Sequence, residues 1–195
     1  YLPMVGFSFV VVAAACHFLR KNPRVCAAIF LALVCGYSVS TYRDNFAWKD
    51  EFTLWDHTIR KFPDRPRPYS ARGSIYENKG LLDKALLDYN KAIELDPGNA
   101  EAYSNRGSIY HKTGRWDQAL SDCDRAIKLD PTNAEAYNNR GSIYNDKGLP
   151  DQALLDLNRS IELAPDHATG YSNRAVAYDT KGHLDAALED LNRAI

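Results

Sequence analysis

Hydrophobic positions follow two different patterns along the chain. From Val5 to Leu19 (VGFSFVVVAAACHFL) and from Val25 to Tyr42 (VCAAIFLALVCGYSVSTY) they run almost without a break, whereas beyond residue 43 they recur at helical spacing among charged and amide residues. Each continuous run is near the lower limit of about 17 to 20 residues that a helix needs to cross a roughly 30 Å hydrocarbon core. Residues 1–42 are therefore expected to form two transmembrane helices, with a buried helical hairpin as the alternative. The connector at 20–24, RKNPR, carries Arg20, Lys21 and Arg24 and no acid. The positive-inside rule places such a loop in the cytoplasm, so the chain after the second span is expected on the extracytoplasmic side. His17, beside that loop, is expected to snorkel toward it.

The second pattern is a repeat of period 34. Gly73, Gly107 and Gly141 are followed at the same step by Ala175, and Tyr76, Tyr110, Tyr144 and Tyr178 share the period. So do Gly80, Gly114, Gly148 and Gly182, Ala85, Ala119, Ala153 and Ala187, Ile93, Ile127, Ile161 and Ile195, and Pro97, Pro131 and Pro165. These residues resemble the tetratricopeptide repeat, a helix-turn-helix unit with an aromatic, Gly, Tyr, Ala, aromatic, Ala, Pro pattern. The resemblance covers 66–195, with units at 66–99, 100–133, 134–167 and 168–195, the last one truncated. It implies an all-α solenoid.

Helical periodicity supports this reading on its own. Tyr69, Ile75 and Tyr76 and their equivalents give the first helix an apolar stripe, and small Gly or Ala lets the second helix approach. The central Gly is expected to end the first helix, an acid at Asp83, Asp117, Asp151 and Asp185 to favour the start of the second, and Pro to close the unit. A single hairpin has too little core to stand alone, so neighbours must stack.

The register extends backwards. Trp55, Ile59 and Pro63 lie 34 residues before Tyr89, Ile93 and Pro97, and Trp48, Phe52, Trp55, Ile59 and Phe62 succeed one another at steps of 4, 3, 4 and 3. Within the linker at 43–65, residues 44–62 are expected to form an amphipathic helix that replaces the second helix of a half-repeat and caps the stack. An interfacial helix resting its aromatics on the bilayer is the alternative. The chain opens without Met, and Ile195 leaves an apolar surface without a polar cap, so further sequence is expected at both ends.

Overall composition, 45% hydrophobic and 25% charged with net charge −1, hides a division that matters. Residues 1–65 hold 8 Lys/Arg against 5 Asp/Glu, and residues 66–195 hold 16 against 20. A mildly acidic repeat region lacks the basic face that nucleic acid requires, so none is expected as a partner. Cys16, Cys26 and Cys35 lie in the apolar runs and Cys123 stands alone, which gives neither a disulfide framework nor a metal motif. The histidines at 57, 111, 167 and 183 fall at unrelated repeat positions, and no HExxH, phosphate-binding loop or Ser-His-acid spacing is present. No catalytic residue, metal site or cofactor is expected within these residues.

Two sets of polar repeats remain. Arg72, Arg106, Arg140 and Arg174 each have an acid 16 residues on, at Asp88, Asp122, Asp156 and Asp190. This spacing predicts a salt-bridge ladder joining the two helices of every hairpin, with Arg reaching into the groove as the alternative. Asn105, Asn139 and Asn173 occupy a position that resembles the asparagine ladder contacting peptide backbone in some members of the repeat family. With Ser104, Asn138, Ser172, Ser74, Ser108 and Ser142 they form the candidate peptide-binding set, since an amide both donates and accepts. Solvated or intrahelical asparagines are the alternative. The clamp that binds acidic C-terminal tails in some relatives is not expected, because Ser70, Glu135 and Asn139 stand where its cations would be, and Glu135 would repel a carboxylate.

The front end, YLPMVGF before the first run and WKDEFTLW before the repeats, resembles the C-terminal part of polytopic GT-C type membrane O-glycosyltransferases that carry such repeats. That resemblance implies a membrane-anchored scaffold whose groove binds a protein or extended peptide, as the acceptor-binding region of a glycosyltransferase. A membrane-tethered adaptor with no enzymatic role is the alternative.

Overall fold

The computed structural model describes residues 24–25, 27–28, 31–36, 38 and 50–194. These divide between Leu54 and Trp55 into two compact units. In the first, the described residues from 24 to 38 are helical. The apolar runs proposed as membrane spans lie largely outside the described residues, and among those described no helix is long and apolar enough to cross a membrane.

Helix α1 (Glu51–Lys61) starts where the Asp50 carboxylate accepts the Thr53 amide at 2.8 Å, an N-cap that replaces a lost backbone partner. The expected helix over 44–62 is thus shortened, because residue 50 is a bend and caps the helix after it; residues 44–49 lie outside the described residues.

Four hairpins come next: α2 (Pro66–Asn78) with α3 (Leu82–Leu95), α4 (Ala100–Lys112) with α5 (Trp116–Leu129), α6 (Ala134–Asp146) with α7 (Pro150–Leu163), and α8 (Ala168–Thr180) with α9 (Leu184–Arg193). Each first helix ends in the same way. Gly80, Gly114, Gly148 and Gly182 adopt φ between 69° and 75°, a left-handed conformation that costs glycine little. The turn is a Schellman motif: Gly80 N–H donates to Glu77 O at 2.8 Å and Leu81 N–H to Tyr76 O at 2.9 Å, with equivalents in every unit. Second helices end because the residue before each proline must be extended, as Asp96 (φ −141°, ψ 94°) and Asp130 (φ −136°, ψ 96°) are. Asn99 and Asn133 then cap the next helix through Ala102 N–H and Ala136 N–H at 3.0 and 2.9 Å.

The core is a series of clusters, each joining one hairpin to the next. Ala85 and Tyr89 of α3 pack on Ile109 of α4, Ala119 and Cys123 of α5 on Ile143 of α6, and Ala153 and Leu157 of α7 on Ala177 of α8. Ile59 of α1 joins the preceding cluster with Tyr69, Ala92 and Ala102. Glycine inside the first helix permits the close approach: a Cβ on Gly141 would lie 2.7 Å from Leu157 Cγ, and one on Gly73 2.8 Å from Tyr89 Cε1. First helices touch the first helices of the next hairpin, whereas no contact between second helices occurs among the described residues. Within this unit the first helices therefore line the inner side of the curve.

The arginine ladder forms in all four hairpins, and each arginine does more than the spacing predicts. Arg140 donates from Nε and Nη2 to the two Asp156 oxygens, both at 2.7 Å, and from Nη1 to Asp124 Oδ1 at 2.7 Å. Asp124 belongs to the preceding hairpin, so one guanidinium ties three helices. Arg72 makes the same set with Asp88 and Asp56, Arg106 with Asp122 and Asn90, and Arg174 with Asp190 and Asn158. Asp56 seats α1 at the register of a second helix. Tyrosine rings flank the guanidinium, with Tyr103 and Tyr110 centroids 5.4 and 5.6 Å from Arg106 Cζ. The hydrogen bond to the Asp156 carboxylate holds the Arg140 pKa above its usual value, so the charge persists wherever the protein folds.

Both the ladder and the core can be probed through stability. Arg140→Leu should destabilise by about 3 to 5 kcal/mol because it strands Asp156, and Arg140→Leu with Asp156→Leu should recover most of that loss in urea unfolding. An equal or larger loss in the double variant would mean that the pair is not the source. The Cys123 thiol is pushed up to about 12 by burial, above the about 8.5 of an unfolded cysteine. The folded state then holds a proton that the unfolded state releases, so this group's contribution is intact below about pH 8.5 and is lost as pH rises toward 12. Relative to Cys123→Ala, the natural protein should lose about 2 kcal/mol between pH 8 and pH 10, and Cys123 should resist alkylation until the chain unfolds.

Candidate functional site

The inner face is built from the first helices, and the structure splits the sequence-derived residues into three groups. Ser104 and Asn138 are 1% and 3% exposed and lie beneath the surface. They are not available to a ligand, which corrects their assignment to the peptide-binding set. Each instead receives an amide from the next hairpin: Asn139 Nδ2 donates to the Ser104 backbone O and to its Oγ, both at 3.3 Å, and Asn173 Nδ2 donates to Asn138 Oδ1 at 2.9 Å. Two of the three ladder asparagines, Asn139 and Asn173, thus make bonds between hairpins. Asn99 Nδ2 repeats the theme on Ser70 Oγ at 3.5 Å.

A second group has its hydroxyls engaged, by its own hairpin for Ser74 and Ser172 and by the preceding hairpin for Ser108. Ser74 Oγ donates to Ser70 O at 3.3 Å and lies 3.1 Å from Tyr89 Oη, and Ser172 Oγ donates to Ala168 O at 3.3 Å. Ser108 Oγ donates to Glu77 Oε1 at 3.2 Å. The third group is half-buried with no side-chain partner among the described residues: Asn105 and Ser142. Of the nine residues, these two offer the groove their full hydrogen-bonding capacity.

Sequence reasoning missed a polar knot around Glu77. Its carboxylate accepts from Lys112 Nζ at 2.7 Å, from Ser108 and from Tyr89 Oη at 3.0 Å. Its position is held by His111, Asn145 and Asp179 in later units, so no repetition flags it. His111 Nε2 lies 2.6 Å from Asp146 Oδ2, and Asn145 Nδ2 donates to the Asn173 carbonyl at 2.8 Å while its Oδ1 is buried without a partner. A cleft of about 690 Å³ opens near the start of α2 and α4, with Trp55, Arg67, Ser70, Asp96, Glu101 and Asp130 in its wall. Asp130 accepts from the Thr132 hydroxyl at 2.6 Å and from its amide at 2.9 Å, which hold its carboxyl below the usual range.

Family models of the tetratricopeptide repeat match residues 73–114, 100–133, 134–167 and 168–195. The chain belongs to the tetratricopeptide-repeat family, and its repeats form a scaffold for protein interaction. Protein O-mannosyl-transferase Tmtc2 of Drosophila melanogaster is 29% identical over 103 residues, 51% of this chain and 11% of that protein. The chain thus spans about a tenth of that relative's length. The crystal structure of MamA is similar over 73% of this chain and 84% of that one, with 26% identity and a TM-score of 0.60. A thermophilic repeat protein of Thermus thermophilus aligns over 83% of this chain and 85% of its own at a TM-score of 0.65 and 24% identity, a likeness of fold.

The two kinds of asparagine should separate by experiment. Asn139→Ala should cost about 1 kcal/mol and speed amide exchange where α4 meets α6, whereas Asn105→Ala should stay within about 0.5 kcal/mol of the parent. Equal losses in thermal unfolding would contradict the division.

Proposed function

We propose that this chain is a membrane-anchored repeat scaffold whose inner groove holds an extended polypeptide, and that it acts as the acceptor-binding region of a membrane O-glycosyltransferase. The observation that carries the reading is the match to Protein O-mannosyl-transferase Tmtc2, taken together with the two apolar runs and the basic loop that precede the repeats in this sequence. The groove suits the role in two ways. Its floor is polar, with Asn105 and Ser142 free to pair with peptide backbone whatever its side chains. The bonds between hairpins hold the first helices at fixed spacing, so little ordering cost falls on binding. In this reading the apolar runs cross the membrane, the RKNPR loop is cytoplasmic, and the repeats face the extracytoplasmic side where the acceptor passes.

Two measurements test it. A Ser/Thr-rich acceptor polypeptide should bind the chain in fluorescence anisotropy, and Asn105→Ala should weaken it severalfold at unchanged melting temperature, the loss of about 1 kcal/mol in hydrogen bonding. Unchanged affinity would remove the groove from the proposal. In sealed membrane vesicles with their cytoplasmic face outward, the repeats should resist added protease until detergent is supplied. Digestion of intact vesicles would refute the orientation.

A further inference from the structure

The groove's own hydrogen bonding and charge specify what can occupy it. We propose that the bound segment is an extended polypeptide rich in lysine and arginine, a conclusion that rests on the groove reading above and adds the chemistry of its partner.

One ladder amide, that of Asn139, has already spent its donors. Asn139 Nδ2 points at a backbone carbonyl, which can only accept, so the orientation of that amide is settled and Oδ1 is the atom left over. Asn173 Nδ2 is likewise committed to Asn138, and Asn145 Nδ2 to the Asn173 carbonyl. Asn139 Nδ2, with both Ser104 oxygens as acceptors, therefore retains only its Oδ1, and a ligand that pairs with that atom must bring a donor.

Charge points the same way. Apart from the ladder arginines, which are neutralised by second-helix carboxylates, the first helices carry Glu77, Glu101, Glu135, Asp146 and Asp179 against Arg67 and Lys112. Lys112 is held on Glu77 at 2.7 Å. Glu101 and Asp179 are exposed with no side-chain partner among the described residues, and Glu135 faces His167 at 3.5 Å. The cleft beside α2 and α4 adds Asp96 and Asp130 to Glu101 next to the Trp55 ring, a setting in which a cationic side chain gains both ion pairing and contact with an aromatic face. Arg67 is the single cation among the described residues of that wall. An acidic segment would meet repulsion from Glu101 and its neighbours, and a neutral one would leave Glu101 without an ion pair among the described residues.

The test uses the full chain and three labelled peptides of about twelve residues, about 40 Å when extended. They share Ser and Gly and differ in carrying Lys, Thr or Glu at every third position. At about 50 mM salt the Lys peptide should bind about tenfold more tightly than the Thr peptide, as a few exposed ion pairs provide, and most of that advantage should vanish at about 300 mM. Glu101→Gln with Asp179→Asn should weaken the Lys peptide about three- to fivefold and leave the Thr peptide within about twofold, at unchanged melting temperature. A Thr or Glu peptide that binds as tightly as the Lys peptide, or a double variant that weakens all peptides equally, overturns the proposal while leaving the groove reading in place. Failure of all three peptides to bind defeats both.

Discussion

Each of the four hairpins is held by one half-buried guanidinium with three fixed bonds. Two bonds close the hairpin on its own second helix and the third reaches the second helix before it, so folding within a repeat and stacking between repeats draw on the same side chain. Arginine alone suits this, since a planar fork can meet a carboxylate with two parallel bonds and still present a third edge, which an ammonium cannot. Burial of the paired aspartate raises the cost of losing the arginine, because the stranded carboxylate would have little water to turn to. Removing one arginine should then weaken two interfaces at once, which couples the stack more tightly than packing alone.

The clamp also accounts for the surface left to function. Arginine, glycine and the tyrosines occupy the seam between the two helices of a hairpin, and the alanine clusters fill the space between hairpins. What remains is the inner side of the first helices, where asparagine and serine fix the distance from one hairpin to the next. The same residues that looked like ligand contacts are therefore what makes the groove a preformed surface. Asn139 serves binding by keeping α6 at a set distance from α4, whether or not a peptide touches it.

How far the sequence disclosed this depends on whether a feature repeats with constant identity. The 34-residue period, the left-handed glycines and the Arg/Asp pairs 16 apart are the same in every unit, so each copy corroborates the others. The third partner of the arginine was hidden because it alternates between acid and amide at Asp56, Asn90, Asp124 and Asn158, and either can accept. Ser104 and Asn138 were misjudged for a different reason. Helical spacing puts them on the inner face but cannot say how closely the next helix approaches, and here it comes near enough to bury both. The linker helix was read too long because its aromatic pattern continues through Trp48, whereas the capping carboxylate of Asp50 decides where α1 begins.

The same reasoning locates selectivity. Positions that recur build the scaffold and are spent on it, so they cannot distinguish partners. Glu77, His111, Asn145 and Asp179 stand at one repeat position with four different side chains, and the partners differ from unit to unit. Among the described residues, Glu77 is held by three donors, His111 by one carboxylate, Asn145 by one carbonyl, and Asp179 by no side chain. Glu77, His111 and Asn145 each find a partner on the hairpin that follows, so these irregular residues set the contact between neighbouring units one at a time. Partner choice should thus be governed by the irregular residues of the first helices and by the cleft walled by Trp55 and Glu101, with the repeated hexapeptide NRGSIY supplying the frame that holds them in place.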